Sequence, residues 1–218
     1  MTTKTEATQS AEPKPDYLAN IKIFDRWDFK GVEVNDIGLK EYINLQPREI
    51  PHTFGRWGNK RFGKTHYNII ERVANNLMTT GHVKDSRVHK KTSGRDTGKK
   101  QRNLRLVRKA LEIIEKKTKQ NPVQVLVNAT INSAPREETT RIRQGGIIVH
   151  KSVDVAPQRR LDVALRFITH GAAQRCFKKR YTLPVALADE VIAAANYDTK
   201  TYSISRKEES ERVAQSAR

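Results

Sequence analysis

The chain reads NPVQVLVNATINSAPREETTRIRQGGIIVHKSVDV from residue 121 to residue 155, and two different hydrophobic periods meet in this stretch. Asn121 followed by Pro122 is typical of a helix start, because asparagine caps free amides and proline fits the first helical position. The apolar residues that follow lie at helical spacing: Val125, Leu126 and Ala129. We expect this helix to end before Pro135, where a different pattern begins.

Residues 136–155 carry β-branched side chains on both sides of the pair Gly145-Gly146. Those side chains are Thr139, Thr140, Ile142, Ile147, Val149, Val153 and Val155. Two β-branched runs about a glycine pair predict a β-hairpin with a tight turn. A two-stranded ribbon is only marginally stable alone in water, so we expect it to lean on a partner surface.

The rest of the chain is dominated by helical spacing of apolar residues. Helices are predicted over 65–80 and 103–120, from Pro157, from Pro184, and from a capping box formed by Ser205 and Glu208. A short helix is expected after Asn35-Asp36 and an extended piece from Ile21 to Trp27, within a segment 20–64 that docks on the body. Residues 1–19 are expected to be disordered. The helical domain is expected to span residues 65–218 and to contain a long basic loop over residues 82–102. The sequence predicts a mainly α, single-domain protein with a protruding hairpin arm and an N-terminal extension.

The charge is unevenly distributed along the chain. The 218 residues carry a formal net charge of +18, and residues 56–108 alone hold 15 basic and 3 acidic side chains. Such a block attracts phosphates and releases their counterions, so a polyanionic partner is indicated. Within the hairpin the candidate contacts to such a partner are Arg136, Arg141, Arg143, His150 and Lys151.

Residues 51–64 interleave glycines and aromatic rings with cations. This composition suits a loop pressed onto a nucleic-acid backbone, with rings available for stacking on bases. It suits an ordinary loop anchored by its aromatic side chains equally well.

Several classes of protein and site are disfavoured. No apolar run is long enough for a membrane span, the N-terminus lacks a secretory pattern, and one cysteine excludes a disulfide framework. Gly94 to Lys100 has three residues between its glycines where a phosphate-binding loop needs four. Cys176 lies among cations that could lower its pKa, but we favour a packed small residue. The neighbouring carboxylates Glu137-Glu138 and Asp189-Glu190 should point apart, which argues against an acid–base pair. The six histidines show no pair at metal-ligand spacing, so no enzyme, cofactor, metal or small-molecule substrate is expected.

Several blocks in order resemble one known family. They are residues 121–138, 141–146 and 153–165 around the hairpin, 37–42, 51–56 and 60–64 upstream, and 187–195 downstream. These blocks resemble the universal small-subunit ribosomal protein seven family, in its eukaryotic cytosolic form (protein five of the small subunit), over about residues 20–218. One departure is visible, because residues 83–93 stand where relatives have a short turn.

The resemblance implies a bundle of about six helices with a hairpin arm that binds the 3′ major (head) domain of small-subunit rRNA. It also implies that the protein promotes head assembly, contacts neighbouring proteins of head and platform, and places its hairpin near the mRNA exit channel and exit-site tRNA. By position, rRNA contacts are expected ahead of the first core helix from Arg56, Lys60, Arg61 and Lys64. Further contacts are expected from the basic loop and the start of the next helix: Arg95, Lys99, Lys100, Arg102 and Arg105. The hairpin tip would comprise Arg141, Arg143, Gln144, Gly145 and Gly146, and the base of the arm would present Arg159, Arg160 and Arg166.

Three alternatives remain at this point. The first is a basic architectural protein that binds DNA or chromatin, which a preference for duplex DNA would reveal. The second is an RNA-processing enzyme, and the third is a helical adaptor whose tip cations affect stability alone. The family resemblance implies a cytoplasmic, ribosome-bound protein, with nucleolar passage if the source is eukaryotic.

Overall fold

The computed structural model describes residues 21–80, 97–177 and 179–218. Within these ranges the helices are α1 (Ile37–Lys40), α2 (Ile69–Leu77), α3 (Lys100–Thr118), α4 (Pro122–Asn132), α5 (Pro157–Cys176), α6 (Leu183–Ala195) and α7 (Tyr202–Ser216). Strands β1 (Glu137–Gln144) and β2 (Ile147–Asp154) form the only sheet in these ranges, and a 3₁₀ turn spans Gly63–His66. The mainly α class with a two-stranded hairpin is therefore confirmed. The predicted disordered tail and residues 82–96 of the predicted basic loop lie outside the described residues.

The core is built around α6, which packs against α3, α4 and α5. Its sequence LPVALADEVIAAA is apolar on nearly every side, which is typical of a helix surrounded by others. The buried Ala186, Ala188 and Ala194 keep its surface flat enough for close helix packing, while Leu187 and Val191 supply apolar volume. Surrounding helices add larger buried side chains, among them Leu111, Ile114, Leu161, Leu165 and Ile168.

The start of α4 follows the predicted chemistry. The Asn121 side chain accepts a 3.0 Å hydrogen bond from the Val123 amide, and Pro122 occupies the first turn. The helix ends at Asn132, ahead of Pro135 as expected. Helix α3 begins earlier than predicted, so Lys100 and Arg102 lie in its first turn rather than in a loop.

The predicted capping box of the C-terminal helix is wrong. Helix α7 begins at Tyr202 after Thr201, and the Ser205 amide donates to the Thr201 carbonyl at 2.9 Å inside the helix. Upstream packing fixes this start, because Ile204 is fully buried and the Ser203 amide donates to the buried Glu190 carboxylate. Tertiary contacts thus override a local capping signal.

The N-terminal segment differs from the predicted extended piece and helix. Ile23 and Trp27 are buried and paired in an antiparallel bridge, while Phe24 and Asp25 between them adopt positive φ. The chain therefore makes a tight turn whose two apolar ends reach the core. The helix after Asp36 is a single turn, with the Asp36 side chain accepting from the Gly38 amide at 2.9 Å.

The hairpin pairs Glu137 with Asp154 at its base and Gln144 with Ile147 at its tip. Gly145 and Gly146 have φ of 58° and 86°, the pair of left-handed conformations that a type I′ turn requires. At the base, α7 lies beside the hairpin, and the Ser152 amide donates to the Ala217 carbonyl at 3.2 Å. The ribbon thus leans on a helix of its own chain, as marginal two-stranded sheets need to.

None of the helices within the described ranges is both long and apolar enough to cross a membrane. The same part of the chain holds no group of three or more histidine, cysteine or acidic side chains that could bind a metal ion.

Candidate nucleic-acid interface

The first turns of α2, α3 and α5 meet at one end of the bundle. Arg72 of α2 donates to Asp162 of α5 at 2.6 Å, and Lys100 of α3 contacts Glu71 of α2. The loop 51–66 joins the same end, since Thr53 donates from its amide and hydroxyl to Glu71 at 2.9 and 2.7 Å. Three helix N-termini carry positive partial charge, so their convergence favours an anionic partner here.

The loop 51–66 holds its aromatic rings against its own cations and histidines. Trp57 stacks on His66 with ring centroids 4.1 Å apart, and the Lys60 ammonium lies 4.9 Å from the Trp57 centroid. Arg61 lies 5.2 Å from the ring of Phe62. Trp57 is therefore committed to anchoring the loop on at least one ring face. The contacts of Trp57 therefore support the interpretation of this segment as an ordinary loop anchored by its aromatic side chains.

Two other rings of this loop remain open to solvent. Phe54 and Phe62 are 73% and 62% exposed, far more than an apolar side chain with an internal packing role. Their exposure beside Arg56, Lys60 and Arg61 gives the loop both rings and cations on its outer side. The composition of residues 51–64 predicted rings available for stacking, but it could not distinguish these exposed rings from the packed ring of Trp57.

Contacts within this loop favour the neutral form of the His52 imidazole. Its Nδ1 accepts a 2.9 Å hydrogen bond from the Phe54 amide. Burial lowers the pKa of His52, and the nearby Lys100 ammonium lowers it further, against an opposing effect of Glu71. A neutral imidazole is the form that can accept that hydrogen bond.

The hairpin has two chemically different faces. Side chains alternate along each strand, so the register places Arg141, Arg143 and His150 on one face together with Ile148. The opposite face carries Ile142, Ile147, Val149 and Val153, all at least 36% exposed, with Lys151 among them. The sequence predicted these cations on both arms, but their division into a cationic and an apolar face appears only once the register is known.

Four residues expected on rRNA are held by carboxylates of the protein. Arg160 donates to Asp36 at 2.8 Å and to the Pro135 carbonyl at 3.3 Å, with only 12% of its side chain exposed. Arg159 makes a two-point contact with Glu138 at 2.7 and 2.8 Å, yet its side chain is 58% exposed. Lys64 pairs with Asp162 at 2.6 Å, and Lys100 pairs with the buried Glu71. Arg160 and Lys100 are thus primarily structural, while Arg159 and Lys64 keep exposed surface.

The remaining cations of the expected set are exposed. Within the described residues no ion pair involves Arg56, Lys60, Arg61, Lys99, Arg105, Arg136, Arg141, Arg143, His150, Lys151 or Arg166. Arg102 is likewise exposed, on the first turn of α3. Arg95 lies outside the described residues, and Gln144 is placed by its backbone at the end of β1. Glycines 145 and 146 form the tip itself.

The other titratable groups have structural surroundings. Burial raises the pKa of the Cys176 thiol, which agrees with the favoured interpretation of Cys176 as a packed small residue. Glu137 contacts Arg218 while Glu138 contacts Arg159, and Asp189 contacts Lys117 while Glu190 contacts Arg175. Each neighbouring pair of carboxylates therefore points apart, as predicted.

The cations therefore gather on one end of the bundle and on the arm. Residues from the loop 51–66, the start of α3, the start of α5 and the hairpin are distant in sequence but are connected by the contacts described above. Basic side chains on several separate elements can grip the backbone of a folded RNA from more than one side.

Comparison with known proteins agrees with this geometry. A family model described as "Ribosomal protein S7p/S5e" matches residues 39–218. The small ribosomal subunit protein uS7 of Nanoarchaeum equitans is 49% identical over 198 residues, which cover 91% of this chain and 99% of the relative. The protein of the same name from Methanosphaera stadtmanae is 46% identical over 198 residues, with the same coverage. Both organisms are archaea, so these relatives do not single out the eukaryotic branch. The chain belongs to the S7p/S5e family of ribosomal proteins.

Proposed function

We propose that the protein is a structural constituent of the small ribosomal subunit that binds the 3′ major (head) domain of its rRNA and promotes head assembly. The observation that carries the proposal is the convergence of exposed cations from the loop 51–66, the start of α3 and the start of α5 beside a cationic hairpin face. Family membership supports the same function. No catalytic role is proposed.

The physical basis is the release of counterions from RNA phosphates. Each phosphate that a lysine or arginine neutralises contributes to affinity and to its dependence on salt. Cations on several rigid elements can hold RNA helices together that would otherwise repel one another. The internal ion pairs Lys64–Asp162 and Arg159–Glu138 orient two of these cations while leaving part of each exposed.

A more detailed part of the proposal assigns a partner to each face of the hairpin. Its cationic face, with Arg141, Arg143 and His150, would meet exit-site tRNA or mRNA near the mRNA exit channel. Its apolar face is suited to neighbouring proteins of the head and platform, since exposed apolar patches mark interaction surfaces. The protein would act on cytoplasmic ribosomes, and in a eukaryotic cell it would pass through the nucleolus during assembly.

The test is binding of the full chain to a transcript of the head domain of small-subunit rRNA at several salt concentrations. We expect Arg56→Ala/Arg105→Ala, which removes two exposed cations from the loop 51–66 and the start of α3, to reduce the log–log salt slope by about 1.4 to 1.8, if each residue neutralises one phosphate. Lys22→Ala/Lys30→Ala removes the same charge from exposed sites on the N-terminal segment and should leave the slope nearly unchanged.

Co-sedimentation with small ribosomal subunits at moderate salt completes the test. Retention of the protein with the subunit supports the proposal. A flat salt dependence, or tighter binding to duplex DNA than to the rRNA transcript, would overturn it in favour of an adaptor or an architectural DNA-binding protein.

A further inference from the structure

The two exposed rings of the loop 51–66 have an unfavourable backbone conformation. Phe54 and Phe62 adopt φ of 51° and 57°, in the left-handed region that bulky L-residues rarely occupy. Such a conformation persists only where the surrounding contacts fix it, and it marks candidate functional positions. The contacts around Phe54 therefore show what holds this ring outward.

A buried carboxylate fixes the backbone just before Phe54. The Thr53 amide and hydroxyl both donate to Oε1 of Glu71, at 2.9 and 2.7 Å. Thr53 is 3% exposed and Glu71 is fully buried, so water does not compete for these two bonds. Beside them, Nδ1 of His52 accepts from the Phe54 amide, and the two rings lie with their centroids 4.2 Å apart. The orientation of Phe54 thus depends on a residue of α2 that no RNA can touch.

The other end of the loop is anchored in the same way. Lys64 pairs with Asp162 of α5 at 2.6 Å, and Thr65 donates from its amide and hydroxyl to the Phe62 carbonyl at 3.0 and 2.8 Å. Two carboxylates of the helical body therefore hold the two ends of a loop rich in exposed cations. Charge alone would not favour this arrangement, because each carboxylate weakens the positive potential that attracts a polyanion.

The Glu71 carboxylate also has a positively charged partner. Lys100 of α3 contacts the same oxygen, and only 19% of its side chain is exposed. Burial of a charge is unfavourable unless a counter-charge and hydrogen bonds compensate it. Replacing a buried ion pair by apolar side chains is often neutral or stabilising, so stability alone does not account for a charge here. What the carboxylate adds is the pair of hydrogen bonds to Thr53.

We propose that Glu71 is a positioning residue for RNA binding: as a hydrogen-bond acceptor it fixes Thr53 and so holds Phe54 outward before RNA arrives. The inference rests on the proposed function only in taking RNA as the partner of the loop 51–66. A loop that is already ordered in the free protein loses less conformational entropy on binding. A buried acidic residue therefore contributes to affinity for an anionic partner that it does not contact.

The experiment compares two variants that change the charge equally. Glu71→Gln and Glu71→Met both remove one negative charge at similar side-chain length, but only glutamine keeps an oxygen that accepts from Thr53. Binding of each full chain to the head-domain transcript is measured at one fixed salt concentration. We expect Glu71→Gln to bind within about twofold of wild type and Glu71→Met to bind about tenfold more weakly, because only the latter loses the hydrogen bonds that order the loop.

A second background removes any effect of an unpaired lysine. In Lys100→Met the buried cation is absent, so neither change at Glu71 leaves it without a partner. We expect Glu71→Met to bind about tenfold more weakly than Glu71→Gln in this background as well. This comparison also serves if Glu71→Met alone does not fold.

The ring of Phe54 supplies a readout that a merely structural role would not change. In a Phe54→Ala background the positioned group is absent, so Glu71→Met and Glu71→Gln should differ by less than about twofold in affinity. In the matched background Phe62→Ala, most of the tenfold difference should remain. In the free proteins, amide hydrogen exchange over residues 51–56 should be about tenfold faster in Glu71→Met than in Glu71→Gln, with exchange in α6 unchanged.

Three results would overturn the inference. Equal affinities of Glu71→Gln and Glu71→Met would show that the acceptor has no role in binding. A tenfold difference that persists in Phe54→Ala would show that Glu71 does not act through that ring, and faster exchange in α6 would show a general loss of stability. These results concern a chain that binds the transcript. Failure of wild type to bind it at all would instead overturn the proposed function, and this inference with it.

Discussion

The Arg160 guanidinium donates a 2.8 Å hydrogen bond to the Asp36 carboxylate, across 124 positions of sequence. A second donor of Arg160 reaches the carbonyl of Pro135, just ahead of the hairpin. Burial alone would raise the pKa of Asp36, but the hydrogen bond and charge of Arg160, with the Gly38 amide, outweigh burial and lower that pKa. Arg160 therefore joins the N-terminal segment, α5 and the entry to the hairpin, which is a structural role rather than the expected rRNA contact.

The first prediction separates Arg160 from Arg166, which lies on the same helix. Arg160→Ala should lower the free energy of unfolding by about 2–4 kcal/mol, because it leaves the partly buried Asp36 without its partner. Arg166→Ala removes an exposed charge and should change the free energy of unfolding by less than about 0.5 kcal/mol. Urea denaturation followed by circular dichroism measures both.

The same two variants should behave oppositely with RNA. We expect Arg166→Ala to reduce the salt slope of rRNA binding by about 0.7–0.9, whereas Arg160→Ala should leave the slope unchanged under conditions where it is folded. Equal stability of the two variants would contradict the structural role of Arg160.

The second prediction concerns the turn of the hairpin. Replacing Gly146 by valine forces a β-branched residue to a φ of 86°, which should cost about 1–2 kcal/mol locally. Asparagine tolerates left-handed backbone, so Gly145→Asn should retain the turn. Hydrogen exchange of the Ile142 and Val149 amides should accelerate in Gly146→Val alone. The amides of α6 should be unaffected, since no core contact depends on the tip; acceleration throughout the molecule would contradict this independence.

The parts of the fold that the sequence predicted are those whose causes are local. The start of α4 depends on Asn121 and Pro122, and the hairpin turn depends on two adjacent glycines. Arg160 looked identical to Arg159 in the sequence, because the carboxylate that captures it lies in another segment. The same reason explains the start of α7, where burial of Ile204 outweighs the local signal at Ser205.

The features of the candidate site likewise fall into those with local causes in the sequence and those that depend on tertiary contacts. The cationic segments were evident from composition, but their convergence depends on contacts such as Arg72 to Asp162, which join α2 to α5. The two faces of the hairpin follow from its register, which the position of the glycine pair in the sequence already implies.

The third prediction concerns Gly171, where replacing a helical glycine by alanine should have the opposite of its usual effect on stability. Gly→Ala inside a helix normally stabilises it by about 1 kcal/mol. At Gly171 of α5, however, a Cβ would lie 2.4 Å from an oxygen of the buried Glu190 carboxylate. We expect Gly171→Ala to destabilise the protein by about 1–3 kcal/mol, as overpacking does in cores.

A double-mutant cycle checks the cause of this destabilisation. In a Glu190→Ala background the contact with the carboxylate is absent and only the Tyr202 Cβ stays close, at 3.1 Å, so Gly171→Ala should there be much less destabilising. The coupling between the two positions should exceed about 1 kcal/mol. Additive effects would show that the Glu190 carboxylate is not what excludes a side chain at position 171.

The final prediction follows from the titration of Glu190. Burial raises the pKa of Glu190 above its ordinary value of 4.5, against the opposing effects of the Ser203 amide and the Arg175 guanidinium. A group whose pKa is raised on folding takes up protons more readily in the folded state, so its contribution is complete below pH 4.5 and is lost as the pH rises through the folded pKa. Glu190→Gln cannot titrate, and the stability of wild type relative to this variant should therefore decrease as the pH is raised from 4.5 towards neutrality.

Urea unfolding of both proteins across this range measures the difference, in which the contributions of Asp36 and Asp189 cancel. A difference that stays constant with pH, or that increases, would show that Arg175 and Ser203 stabilise the Glu190 carboxylate more than burial disfavours it.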